Sequence, residues 1–129
     1  MARIGIVVSM FNEDITRAML ERAKALIKVR GELGPVREVP GAYDIPLAVK
    51  QIIGEVDGVI TLGAIIKGET KHDEVIAFAL AQSLTQLSLD TGKPITLGVS
   101  GPGMSRKHAE DRKGAYATRA VEAVFQMLL

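Results

Sequence analysis

Val59-Ile60-Thr61-Leu62-Gly63-Ala64-Ile65-Ile66-Lys67-Gly68-Glu69-Thr70-Lys71-His72-Asp73 decides the architecture of this chain. Val59 to Leu62 is a short apolar, β-branched run, which predicts a strand. Gly63 to His72 is a turn punctuated by glycine. From Thr70 to Asp90 an apolar pattern continues for far longer than a strand needs, which predicts a helix. A strand passed directly to a long helix is the first half of the crossover that parallel sheets require.

The same alternation recurs on both sides of this stretch. Ile4 to Val8 reads as a strand buried on both faces. Asp14 to Lys28 reads as a helix, with Ile15, Met19, Ala23, Leu26 and Ile27 at helical spacing. Val36 to Val39 is a weak strand stopped by Pro40-Gly41, and Asp44 to Ile53 a helix with Pro46 in its first turn. Ile95 to Val99 is a fourth strand, entered through Gly92-Lys93-Pro94. Ser105 to Leu129 is helical, with a stripe of Ala117, Val121, Val124, Phe125 and Leu128. This order predicts an α/β fold with four parallel strands, helices on both faces and right-handed crossovers. No repeat, linker or low-complexity segment interrupts the 129 residues, so a single domain spanning 1–129 is expected.

Composition narrows the function. The formal net charge is +1 and aromatic residues make up 4% of the chain, which argues against a nucleic-acid surface. The absence of cysteine excludes disulfides, thiolate metal sites and cysteine nucleophiles. No apolar stretch reaches membrane-spanning length. Met1-Ala2-Arg3 leads straight into a strand without a signal-peptide pattern, so a cytoplasmic location is expected.

In open parallel sheets, ligands sit beyond the carboxyl ends of the strands. Four predicted loops lie there: Ser9 to Glu13, Pro40 to Asp44, Gly63 to His72 and Ser100 to Ser105. In the third, Thr70 is placed as an N-cap with Asp73 in a capping-box-like position. The free N–H groups and positive dipole end of that helix favour an anion, and Gly68 lets the backbone approach one closely. An ordinary capped turn that binds nothing has the same sequence. His72 in the first helical turn is a proton-transfer candidate near neutral pH, or a surface histidine beside a cap. His108 lies among Arg106, Lys107, Glu110 and Asp111, reads as part of a solvated face and receives no role. Two histidines so far apart do not suggest a metal site.

Phe11 at the end of the first strand suits either stacking on a flat ring or core packing. Asp44 suits ligand hydroxyls or the helix dipole. Arg112 suits a phosphate clamp or a surface ion pair. Gly101-Pro102-Gly103 reads as a rigid turn after the fourth strand. The segment Val75 to Leu89 contains no charged residue. A surface helix of a small monomer normally has a charged outer face. A second copy of the chain is therefore expected to cover this one.

Taken together, four motifs resemble the lumazine synthase family, particularly its archaeal form. They are Ser9-Met10-Phe11-Asn12-Glu13-Asp14-Ile15-Thr16, Val39-Pro40-Gly41-Ala42-Tyr43-Asp44-Ile45-Pro46-Leu47-Ala48, Leu62 to Asp73, and Lys93 to Met104. The resemblance extends over essentially the whole chain. It implies a three-layer αβα, flavodoxin-like sandwich. It also implies a transferase of riboflavin biosynthesis that condenses 5-amino-6-(D-ribitylamino)uracil with 3,4-dihydroxy-2-butanone 4-phosphate. The products are 6,7-dimethyl-8-ribityllumazine, phosphate and water, and no cofactor or metal is needed.

By the same resemblance, Phe11 stacks on the pyrimidine, and Ala42, Tyr43 and Asp44 face the pyrimidine and ribityl chain. Ala64, Ile65 and Ile66 hold the edge of the heterocycle through backbone groups. Gly68, Glu69 and Thr70 bind phosphate, and His72 transfers protons. Arg112 reaches the phosphate from a neighbouring subunit, and Leu97 faces the bound ring across that interface. Many bacterial and fungal members carry an aromatic where Leu97 stands. The family builds pentamers, and some members pack them into icosahedral capsids. The related archaeal riboflavin synthase dismutates two lumazines without a phosphate substrate, so the Gly68 to His72 turn favours lumazine synthase. A flavin carrier without turnover and a shell protein with a vestigial pocket are further alternatives.

Overall fold

Four parallel strands form one sheet in the order β2-β1-β3-β4 in a computed structural model describing residues 1–129. They are β1 (Arg3–Ser9), β2 (Glu32–Val39), β3 (Gly58–Ile66) and β4 (Ile95–Met104). The helices between and after them are α1 (Glu13–Arg30), α2 (Ile45–Ile52), α3 (His72–Thr91) and α4 (Arg106–Met127). Two central strands, β1 and β3, are buried along nearly their whole length, as their largely apolar stretches require.

Alternation along the strands divides the interior in two. Ile4, Ile6 and Val8 of β1 and Ile60 and Leu62 of β3 point to one face and pack on Met19, Ala23 and Ile27 of α1 and Val121, Val124 and Phe125 of α4. Val7 and Val59 point the other way, onto Ala48, Val49 and Ile52 of α2 and Leu80 and Leu84 of α3. The result is the expected three-layer αβα sandwich around four parallel strands.

Three expectations are corrected. First, β3 and β4 run past Leu62 and Val99. The Gly101-Pro102-Gly103 turn lies inside β4, where the pairing slips from Ala64↔Ser100 to Ile66↔Met104. Proline is tolerated there because β4 is an edge strand, and Gly101 (φ 104°) and Gly103 (φ 73°) supply the left-handed backbone that a bulge needs. Second, Thr70 is not the N-cap of α3. The helix begins at His72 with Lys71 in the cap position, and no side chain caps it. Third, Asp73 forms no capping box, because its carboxylate Oδ2 accepts a hydrogen bond from Gly103 N–H instead, at 2.9 Å. No helix is long and apolar enough to cross a membrane.

Candidate functional site

Parallel strands bring all their carboxyl ends to one edge, and the order β2-β1-β3-β4 reverses direction between β1 and β3. At such a switch point the two following segments diverge to opposite faces and leave a crevice. A cavity of about 430 Å³ occupies this position. Ser9, Phe11 and Asn12 after β1, Gly41, Ala42 and Tyr43 after β2, and Ala64, Ile65 and Ile66 at the end of β3 line it. Gly68, Thr70, His72, Asp73 and Ile76 complete the wall from the β3–α3 turn and the start of α3.

Each wall has a local cause. Phe11 is 70% exposed, so its ring is not core packing; it stands at the mouth of the cavity. The next residue, Asn12, adopts left-handed backbone (φ 64°), a conformation that asparagine tolerates better than most residues. Its side-chain amide donates to the Ala64 carbonyl at 2.9 Å and so ties the end of β1 to the end of β3. Its backbone carbonyl accepts from the N–H groups of Ile15 and Thr16, starting α1. Behind it, Arg106 at the start of α4 pairs with Asp14, and this guanidinium holds the Asp14 carboxyl below its ordinary value of 3.8.

The Gly41 turn closes on itself: Asp44 Oδ2 accepts from Gly41 N–H, and Asp44 N–H donates back to the Gly41 carbonyl, both at 3.0 Å. Asp44 therefore spends its carboxylate on this turn and does not line the cavity, whereas Ala42 and Tyr43 do. At the opposite wall, His72 N–H points to Thr70 Oγ1 at 3.4 Å, a long hydrogen bond across an exposed turn. A Cβ added at Gly68 would meet no atom within 4 Å, so there is open space against that backbone. Chemically, the cavity offers an aromatic plate, strand-end carbonyl and amide groups, a bare helix N-terminus and an imidazole.

Four expected site residues lie outside the cavity lining of their own chain: Asp44, Glu69, Leu97 and Arg112. Glu69 is exposed on the turn and Arg112 is exposed on α4. Leu97 is 50% exposed on β4 and lines a smaller apolar hollow of about 200 Å³ with Ala77, Phe78, Ala81 and Pro102. Five lining residues were not among the expected site residues: Ser9, Asn12, Gly41, Asp73 and Ile76. Ser9, Asn12 and Gly41 lie in or beside the two loops already singled out, so position alone would have found them. Asp73 and Ile76 face inward only because of how α3 docks.

Comparison with known proteins gives one consistent result. Residues 1–129 match the family model described as 6,7-dimethyl-8-ribityllumazine synthase. A protein of that name from Metallosphaera sedula is 50% identical over 128 residues, covering 97% of this chain and 85% of the relative. One from Staphylothermus marinus is 51% identical over 131 residues, covering 99% and 87%. A third, from Pyrobaculum arsenaticum, is 48% identical over 130 residues, covering 98% and 87%.

Proposed function

Since the chain belongs to the 6,7-dimethyl-8-ribityllumazine synthase family, we propose that the cavity at the β1/β3 switch point is where it carries out that family's reaction. The enzyme is a transferase of riboflavin biosynthesis. It condenses 5-amino-6-(D-ribitylamino)uracil with 3,4-dihydroxy-2-butanone 4-phosphate. The observation that carries the site assignment is the convergence of three separate loops, with Phe11, Ala42-Tyr43, Ala64–Ile66 and the Gly68–His72 turn, on one 430 Å³ space.

In this reading the pyrimidine lies against the Phe11 ring, its edge hydrogen-bonded by the backbone of Ala64 to Ile66. The phosphate sits over the Gly68–Thr70 backbone just before α3 and accepts a hydrogen bond from the Thr70 hydroxyl, where unpartnered amides and the helix dipole also attract an anion. The amine of the pyrimidine attacks the ketone to give a carbinolamine and then an imine. Loss of a proton next to the imine expels phosphate and leaves an enol, which tautomerises to a ketone. The second amine adds to that ketone and closes the ring with loss of water. Each step moves a proton, which in this reading the imidazole of His72 accepts and returns. Holding two reactants together supplies a large part of the acceleration.

The turn needs help from elsewhere. Between Lys67 and Asp73 two lysines are balanced by Glu69 and Asp73, so the segment has no net charge for a phosphate dianion. Arg112 of a neighbouring copy would supply the missing cation. α3 presents Val75 (65% exposed), Phe78 (65%) and Leu89 (74%) without any charge between them, the kind of face that a second copy covers. We assign to that contact the burial of Leu97 and the delivery of Arg112, in a pentamer or a larger shell built from pentamers. A cytoplasmic location fits an enzyme acting on soluble phosphorylated metabolites.

The direct test incubates the purified protein with both substrates and follows lumazine absorbance. Product that forms only when the phosphate substrate is present supports the assignment. Riboflavin formed from lumazine alone would contradict it.

A further inference from the structure

Six consecutive residues, Lys67 to His72, are exposed. The helix that follows begins without a side-chain cap at Lys71. A segment so bare is free to move, whereas a reaction that depends on placing two substrates needs its amides and imidazole held still. Two long-range hydrogen bonds tie the segment to the end of β4. At its strand end, Lys67 N–H donates to the Met104 carbonyl at 2.9 Å. At its helix end, Gly103 N–H donates to Asp73 Oδ2 at 2.9 Å. Asp73 is 9% exposed, lines the cavity and directly follows His72.

We infer that Asp73 is a positioning residue: through the Gly103 amide it locks the start of α3 against the β4 bulge, and so sets His72 and the Gly68–Thr70 turn before either substrate arrives. This rests on reading that turn as the phosphate site. A carboxylate accepting a backbone N–H makes a stronger tether than a neutral pair would. Direct binding of phosphate by Asp73 is disfavoured, because two anions repel. The bulge has a purpose in this scheme: left-handed backbone at Gly103 (φ 73°) is part of the geometry that presents its N–H to the helix.

The experiment compares Asp73→Ala, Asp73→Asn and Thr70→Ala in the full-length, assembled enzyme. Each substrate is varied in turn, and hydrogen–deuterium exchange is followed over residues 67–73. Asparagine keeps a carbonyl oxygen for Gly103 and drops the charge. For Asp73→Ala, KM for the butanone phosphate should rise about tenfold, KM for the pyrimidine should stay within about twofold, and exchange over 67–73 should quicken. Asp73→Asn should recover most of the loss. Wild-type kinetics and exchange in Asp73→Ala would overturn the inference. So would an Asp73→Asn enzyme as impaired as Asp73→Ala, which would assign the role to charge, and so would an equal rise in both KM values. Should Asp73→Ala not fold, Asp73→Ser, too short to reach Gly103, is judged by the same criteria. Thr70→Ala separates the two readings. Weakened phosphate handling in Thr70→Ala beside normal Asp73→Ala kinetics sinks the positioning role alone. Unchanged phosphate handling in Thr70→Ala sinks the reading of the turn.

Discussion

Phe11 is 70% exposed and contributes little to folding where it stands. Phe11→Ala should therefore leave Tm unchanged. It should raise KM for the pyrimidine about three- to tenfold, the amount that one aromatic stacking contact is worth. Steady-state kinetics beside a thermal melt checks both halves, and a fall in Tm would return Phe11 to the core. His72 calls for a different measurement, because its proposed work is in the chemistry. The imidazole is exposed, so water can replace it, and His72→Ala should lower kcat by about ten- to a hundredfold, at or below the low end for a positioned proton-transfer group. Activity reduced to the uncatalysed rate would give His72 a larger part than placement of the substrates. The position of both residues in the cavity lining was legible in the sequence because each follows a strand at the carboxyl edge of the sheet. Asp73 was legible only as a helix-cap candidate. Its partner, Gly103, is 30 residues away, and no local rule announces that contact.

Among the elements, β3 is the most deeply committed, and its Val59 to Leu62 part was plain in the sequence although the strand runs on to Ile66. Ile60 is fully buried between β1, α1 and α4. Ile60→Ala should destabilise by about 2–5 kcal/mol, the cost of a lost side chain plus the cavity it leaves. Chemical denaturation with an unchanged m-value would establish this. The periodicities of α1 and α4 were equally clear, since each packs one stripe on a flat sheet. The end of β4 was not. Gly101-Pro102-Gly103 has turn chemistry, and only the edge position of β4 lets such residues continue a strand. The start of α3 was misplaced by two residues for a related reason: Thr70 has cap chemistry, but its hydroxyl reaches the His72 N–H only at 3.4 Å. The starts of α1 and α4 are linked by the Arg106–Asp14 pair, which is exposed and so contributes modestly. Because Arg106 lowers the Asp14 pKa, the pair's contribution is present above 3.8 and is lost as pH falls through the lowered value. The small stability advantage of wild type over Arg106→Ala at neutral pH should therefore vanish in strong acid. Melts across pH 2 to 7 would reveal it, and an advantage that grew on acidification would contradict the sign.

For the whole molecule, the central issue is that the proposed site takes residues from two copies of the chain. Arg112 and Leu97, like Asp44 and Glu69, lie outside the cavity that the other expected residues line, and α3 exposes an uncharged apolar face at Val75, Phe78 and Leu89. If one contact between copies explains both facts, breaking it must disturb both assembly and catalysis. Phe78 is 65% exposed at the centre of that face, so Phe78→Glu should fold normally, sediment as a smaller species and lose phosphate affinity together. A fully active monomer would separate assembly from activity. Complementation is a sharper test. On the proposed assignment, Arg112→Ala should damage the site of a neighbour, whereas Thr70→Ala should damage the site of its own chain. A ring closes through head-to-tail contacts, so in an equal mixture each site draws its turn from one copy and its arginine from the next. Refolding the two impaired variants together should therefore restore about a quarter of the sites to wild-type composition. If each variant refolded alone recovers nothing and the mixture does, Arg112 acts across the interface. If the mixture gains nothing over its parts, the cation that balances the phosphate must come from within the same chain, and Lys67 and Lys71 on the turn become the candidates.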